Sequence, residues 1–211
     1  MPNNHGLLMT LTEPPAVMDE EFNAWYDTEH MAERLSITGF ISARRWMRDC
    51  APGEGRYLAT YELQSAQVLE TPEYLSHVGD GFTPWSRRCL DKATVFRRWA
   101  CTQITPGSQA PHPTASALFV ACAEVSDSHA QEFNQWYDTE HLPMLAHVPG
   151  VLAARRFLAS SGSPRYVALY DLANTQVIEH ADWRAAQKTD WSKRMGQQVS
   201  SWEFSVWRAY P

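Results

Sequence analysis

The sequence predicts an α+β protein built from two copies of one βαββαβ unit, and three observations carry that expectation. The first is a string, EFNAWYDTEH over 21–30, that returns as EFNQWYDTEH over 132–141 with nine of ten letters unchanged. The second is that the likeness runs on in order. TGFISARRW (38–46) answers PGVLAARRF (149–157), GRYLATYEL (55–63) answers PRYVALYDL (164–172), and SAQVLE (65–70) answers NTQVIE (174–179). TPWSRR (83–88) then answers TDWSKR (189–194), and VFRRW (95–99) answers EFSVW (203–207). Self-similarity over about 100 residues marks a duplicated domain, because solenoid repeats are much shorter. The third is TPGSQAPHPT (105–114), whose Pro, Gly and Ser content reads as a linker. The domains are therefore drawn at 1–104 and 115–211, with 105–114 between them.

Each copy opens on a strand, Gly6–Leu11 or Ala117–Glu124, rich in β-branched and apolar residues. A helix follows. Asp19 and Glu20 suit its N-terminal dipole in the first copy, and Asp127 stands near the start as a cap in the second. Two strands come next, ISARRW with YLATYEL and their counterparts, joined in the first copy through turn glycines Gly53 and Gly55. A second helix is expected over about 65–77 and 174–187, then a short turn at TPWS and a closing strand. That order is the ferredoxin-like split unit. Strand residues are bulky on both faces: Tyr57 and Tyr61 point one way, Leu58 and Thr60 the other. A sheet apolar on both sides needs a second cover. The simplest cover is the other copy, sheet to sheet, an intrachain pseudo-dimeric α/β barrel.

Composition narrows the function classes. With 44% hydrophobic and 20% charged residues, the chain of 211 residues has the make-up of a soluble globular protein. A net charge of −6, with no basic stripe, argues against a nucleic-acid partner. MPNNHGLLMTLTEPP lacks the features of a signal peptide, and no apolar run approaches the roughly 20 residues of a membrane helix. Cys50, Cys89, Cys101 and Cys122 form no CxxC pair, which reads as reduced thiols in a cytoplasmic protein. Nine tryptophans point to cores or an aromatic-walled cavity.

At 100° per residue, Trp25, Tyr26 and Glu29 fall on the Phe22 face of the first helix, with His30 at its edge. Trp136, Tyr137, Glu140 and His141 repeat the placement. A carboxylate on an apolar face is costly unless paired. Glu29 and Glu140 therefore either pair with arginine or serve a site, and the histidines either close the helix or do chemistry. Asp27 and Asp138 point away, solvated or paired with an arginine. In each ARR run, Arg44 with Arg45 and Arg155 with Arg156, neighbours face opposite sides of a strand, so one of each pair faces inward. It either neutralises the helix glutamate or holds a substrate anion. Trp85 and Trp191 either wall a pocket or pack under the second helix. Scattered histidines without HxH or HxxxH spacing give no metal site, and no phosphate loop, GxSxG or Cys-His motif occurs.

The pattern WYDxEHxPxxxxVPGFxxARRF with a late PW(S/T)RR resembles the EthD-like family of the dimeric α/β-barrel superfamily, copy by copy over nearly the whole chain. The second copy fits best, at Trp136, Tyr137, Glu140, His141, Pro143, Pro149, Gly150, Arg155 and Arg156. The first departs at Ala32 and Thr38, where the pattern has prolines. The resemblance implies a superfamily of cofactor-free isomerases, decarboxylases, cyclases and monooxygenases, with some haem binders.

The expected function is a cofactor-independent lyase or isomerase moving a proton on a small apolar or aromatic enolisable metabolite. His141, and then His30, would be general base or acid, because an ordinary imidazole titrates near neutrality. Glu140 and Glu29 would orient the imidazole, an inward arginine would hold an enolate or carboxylate, and Trp136, Tyr137, Trp25, Tyr26, Trp191 and Trp85 would supply apolar walls. A binding protein without catalysis is the alternative from another class, and a haem protein with a histidine ligand is a third. A small-molecule substrate is the expected partner, homodimerisation stays open, and no cofactor, metal, membrane or nucleic acid is called for.

Overall fold

The apolar run from Gly6 to Glu13 becomes β1, a strand buried on every residue in the computed structural model, which describes residues 4–211. Such a strand needs partners on both edges and cover on both faces. The chain divides into two units, one reaching to Thr102 and joined by Tyr210, the other Gln103–Ala209 with Pro211.

In the first unit β1 lies between β3 (Tyr57–Leu63) and β4 (Val95–Thr105), and β2 (Phe40–Met47) pairs with β3. All three pairings are antiparallel. In the second unit β5 (Ala117–Val125) lies between β7 (Tyr166–Leu172) and β8 (Val199–Ala209), and β6 (Val151–Ser161) pairs with β7. Irregularities fall at matching places, Phe40/Ser42 and Val151/Ala153. The fold is mixed α+β. The loop after β2 uses Gly53 and Gly55 at φ of 91° and 85°, and the Glu13 carboxylate accepts hydrogen bonds from both amides. Left-handed backbone there favours glycine.

Each unit packs a helical layer against its strands. In the first unit this is α1 (Asp19–Trp25), α2 (Met31–Ser36), α3 (Pro72–Leu75) and α4 (Pro84–Asp91). In the second it is α5 (Asp127–Trp136), α6 (Leu142–Ala146), α7 (Ala181–Ala186) and α8 (Asp190–Gln198). Phe22, Trp25, Tyr26, Tyr57 and Tyr61 share one core, and Phe133, Trp136, Tyr137, Tyr166 and Tyr170 share the other. Each such fully buried apolar side chain contributes about 1.5–3 kcal/mol. No helix among the described residues is long and apolar enough to cross a membrane.

Three expectations about helices are corrected. The helix expected over 65–77 is a 3-10 turn, Ala66–Glu70, followed by α3, because Pro72 forces Thr71 into extended backbone. Its counterpart over 174–187 breaks likewise at His180, whose ring accepts from the Asp182 amide. The segment expected as a turn at TPWS begins α4, and TDWS begins α8. Thr83 and Thr189 cap them by accepting from the Ser86 and Ser192 amides at 3.0 Å. Asp127 is no cap: Ser126 holds that position, and Asp127 pairs with Arg165 at 2.9 Å.

Candidate active site

The repeated YDTEH is a π turn in both units, Tyr26–His30 and Tyr137–His141, inserted between helices that continue on either side. The amide of Met31 bonds back to the Tyr26 carbonyl, and that of Leu142 to the Tyr137 carbonyl, five residues earlier. One surplus residue displaces everything after it by one position on the helical wheel. His30 and His141 therefore occupy the inward position that an uninterrupted helix would give to Glu29 and Glu140. They are 8% and 9% exposed, while both glutamates are half-buried. Nor do the histidines close a helix, since α2 and α6 follow; Pro143 sits in the first turn of α6, where a missing N–H is tolerated.

The imidazoles are framed by the aromatics before them. His141 stacks on Trp136 with centroids 4.4 Å apart and meets Tyr137 edge-on at 5.1 Å. His30 lies 4.3 Å from Trp25 and 5.1 Å from Tyr26. Burial, aided by the charge of Arg156, lowers His141 to a pKa of about 4 despite a hydrogen bond with the Ala186 backbone. Burial and then the charges of Arg34 and Arg45 push His30 well below its ordinary value. Both rings are neutral at neutral pH.

Among the described residues, neither glutamate pairs with an arginine. Glu29 accepts from Thr83 Oγ1 at 2.6 Å and Ser86 Oγ at 3.4 Å; Glu140 accepts from Thr189 Oγ1 at 2.6 Å. The arginine that faces the helix is the second of each ARR run, and its carboxylate is the aspartate. Arg45 pairs with Asp27 at 2.6 Å and lies over Tyr26 and Tyr210; Arg156 pairs with Asp138 at 2.6 Å, donates to Asn134 Oδ1 at 2.7 Å and lies over Tyr137. Arg44 stacks on Trp46, and Arg155 is buried beside Asp171. None of these four arginines lines either cavity described below.

A cavity of about 550 Å³ opens beside His141. Its walls include Trp136, Tyr137, Tyr170, Trp183, Trp202 and Phe204, with Arg184 and Gln187 exposed. The first unit has a cavity of about 470 Å³ beside His30, Tyr26 and Tyr61, lined further by Thr10, Arg34 and Arg98. Trp85, Trp191 and Trp25 line neither. The two cavities also differ at the back. Trp25 Nε1 donates to Ser86 Oγ at 3.1 Å, joining helix to helix. Ser192 Oγ instead donates to the Ala186 carbonyl at 2.9 Å, Trp136 Nε1 is left without a partner, and the larger cavity reaches both residues. Tyr170 donates to Tyr137 Oη at 3.4 Å, which leaves the Tyr137 proton available.

In this arrangement His141 presents no nitrogen to a haem iron in the second cavity. With the ring bonded to the Ala186 backbone, the nitrogen without a partner is Nδ1, and it has almost no accessible surface. A planar macrocycle must seat its centre on the ligating nitrogen and clear the protein on all sides, which the stacked Trp136 and the ring's own Cβ obstruct.

Known structures place this geometry in a wide setting. A chlorite dismutase from Candidatus Nitrospira defluvii, in complex with imidazole, matches 100% of this chain and 93% of its own at a TM-score of 0.65 and 8% identity. An anthrone oxidase-like protein matches 99% and 92% at 0.63 and 12% identity. A monooxygenase-like protein from Listeria innocua matches 98% and 95% at 0.53 and 10% identity. At such identities the likeness establishes the fold alone. Core atranone cluster (CAC) protein 1 of Stachybotrys chlorohalonatus (strain IBT 40285) is 32% identical over 74 residues, 34% of this chain. The match spans 31% of that relative's length. No protein-family model matches the chain.

Proposed function

We propose that the chain is a cofactor-independent lyase or isomerase acting on a small apolar or aromatic enolisable compound in the second unit's cavity. In this reading it carries two tandem ferredoxin-like domains of the EthD-like kind. One observation supports it most: a buried, neutral imidazole, His141, set in an aromatic cavity of about 550 Å³.

The His141 imidazole takes a proton from carbon next to a carbonyl or phenol-derived ring once the imidazole has turned, because Nδ1 has almost no accessible surface in the resting chain. The electron pair moves onto oxygen, and the resulting enolate is held by Tyr137 Oη–H, which accepts from Tyr170 and keeps its own proton free to donate. Imidazolium and enolate remain as an ion pair in surroundings that strengthen their attraction. Return of the proton to another carbon completes an isomerisation, and departure of a β-group completes an elimination. Glu140 and Arg156 act at one remove, Glu140 by fixing Thr189 at the start of α8 and Arg156 by pinning Tyr137 from behind. Dioxygen could intercept the same enolate. The name of the anthrone oxidase-like neighbour makes that the second reading, with the same first step.

His141→Asn tests the role, because asparagine keeps polarity and approximate size but accepts no proton near neutral pH. Loss of a general base lowers turnover about 10²–10⁴-fold with the fold retained. Unchanged turnover in a folded variant would return His141 to a structural role, and a binding protein would then be the better reading.

A further inference from the structure

We propose that the first unit's cavity binds a small carboxylate carried on a flat apolar body, with Arg34 and Arg98 as its cationic pair. The two units share a frame at this level: Tyr26, His30 and Tyr61 stand where Tyr137, His141 and Tyr170 stand. Within that frame three positions change from polar to apolar. Four residues after each histidine come Arg34 and Leu145, both 2% exposed. On the central strands, Thr10 pairs with Ala59 and Arg98, while Ala121 pairs with Ala168 and Phe204. All six side chains line their cavities. The second cavity is thus apolar where the first presents two guanidinium groups and a hydroxyl.

Arg34 is the decisive group. Its Nη2 donates to the His77 carbonyl at 2.8 Å, and the same nitrogen lies 3.6 Å from Glu33 Oε2. Its Nη1 is buried and has no partner. A buried guanidinium nitrogen without an acceptor is costly, and an anion in the cavity satisfies it. His30 Nδ1 also lacks a hydrogen-bond partner, although it lies 3.8 Å from Glu33 Oε2. Arg98 is half-buried, donates to Tyr74 Oη at 3.3 Å, and retains its other donors for a ligand. Asp91 also lines the cavity, but it is exposed and so belongs to the rim. The remaining wall, which includes Leu8, Leu69, Leu75, Val78, Phe82 and Phe96, asks for an apolar body. Neutral His30 adds no positive charge, so anion binding rests on the arginines.

The test is calorimetric titration of the full chain with 2-naphthoate and with the uncharged 2-naphthamide. The expected result is that naphthoate binds about tenfold or more tightly than the amide, and that Arg34→Met and Arg98→Met each remove that preference. Trp183→Ala, which alters only the other cavity, should leave it unchanged. Arg34→Met is checked for folding by circular dichroism; if it unfolds, Arg98→Met at its half-buried position decides the matter. Equal affinity for acid and amide, binding indifferent to Arg98→Met, or binding lost in Trp183→Ala would each overturn the proposal. None of these outcomes depends on turnover, so they are separate from the test of His141.

Discussion

Replacing His141 by asparagine removes a titration as well as a candidate base, and the titration is measurable without a substrate. At pH 7 the imidazole is neutral in the folded and the unfolded chain, so its ionisation has no effect on stability. Below about 6.5 the unfolded chain takes up a proton that the folded chain refuses until about pH 4. The folded pKa is the lower one, so stability is present above the unfolded value and drains away as pH falls through this window. The window is 6.5 − 4 = 2.5 units, and at about 1.36 kcal/mol per unit the loss approaches roughly 3 kcal/mol. His30 acts in the same direction, but it is present in wild type and variant alike, so the difference between them isolates His141. Urea unfolding at pH 7 and pH 4.5 supplies the stabilities, fitted with a common slope. Wild type should lose more stability than His141→Asn between the two pH values by most of that amount. Equal losses would mean that the ring titrates normally, and both its depth and its neutrality would have to be abandoned.

Activity offers a parallel reading: if His141 is the base, the acid limb of kcat/KM should lie near pH 4 rather than near 6.5, because the working form is the unprotonated one. A limb at the ordinary histidine value would count against the assignment. Arg156→Met should lower stability by about 2 kcal/mol in urea melts, since it breaks the bonds to Asp138 and Asn134 and the stack on Tyr137. Thr83→Ala and Thr189→Ala should each cost about 1 kcal/mol as lost helix caps, read by thermal denaturation. Gly150→Ala should cost about 2 kcal/mol, because φ is 92° and the new Cβ would stand 2.6 Å from Val177 Cγ2; a neutral effect would show that this turn can relax.

The repeated strings made the element order and the strands legible, because strand pattern and turn glycines are local signals. The inward turn of the histidines was not legible. A wheel drawn at 3.6 residues per turn assumes one ladder, and nothing in the letters YDTEH announces a π turn. That one assumption put Glu29 and Glu140 on the buried face and the histidines at its edge. The ARR runs put neighbouring arginines on opposite faces of the strand, as their alternation requires, but Arg45 and Arg156 meet the aspartates Asp27 and Asp138 rather than the helix glutamates, and that choice needed the strand register. Arg34 was visible after all, as an arginine in HMAER where the second copy has leucine in HLPML. The difference carried information only once both residues were known to share an inward position. Trp183 of α7 and Trp202 of β8 wall the second cavity, whereas α8 lines it through Ser192 and Gly196 and not through Trp191.

The π turns also govern how this chain should be matched to others. Between Tyr137 and His141 there is one residue more than an uninterrupted helix needs to keep the imidazole facing inward, and Thr139 is among the exposed ones. A homologous chain with four residues in that interval could place its histidine at the same depth on an unbroken α-helix. Pairing two such chains letter by letter would set glutamate against histidine and suggest that the site had been lost. The gap belongs inside the interval, and with it there the two imidazoles coincide.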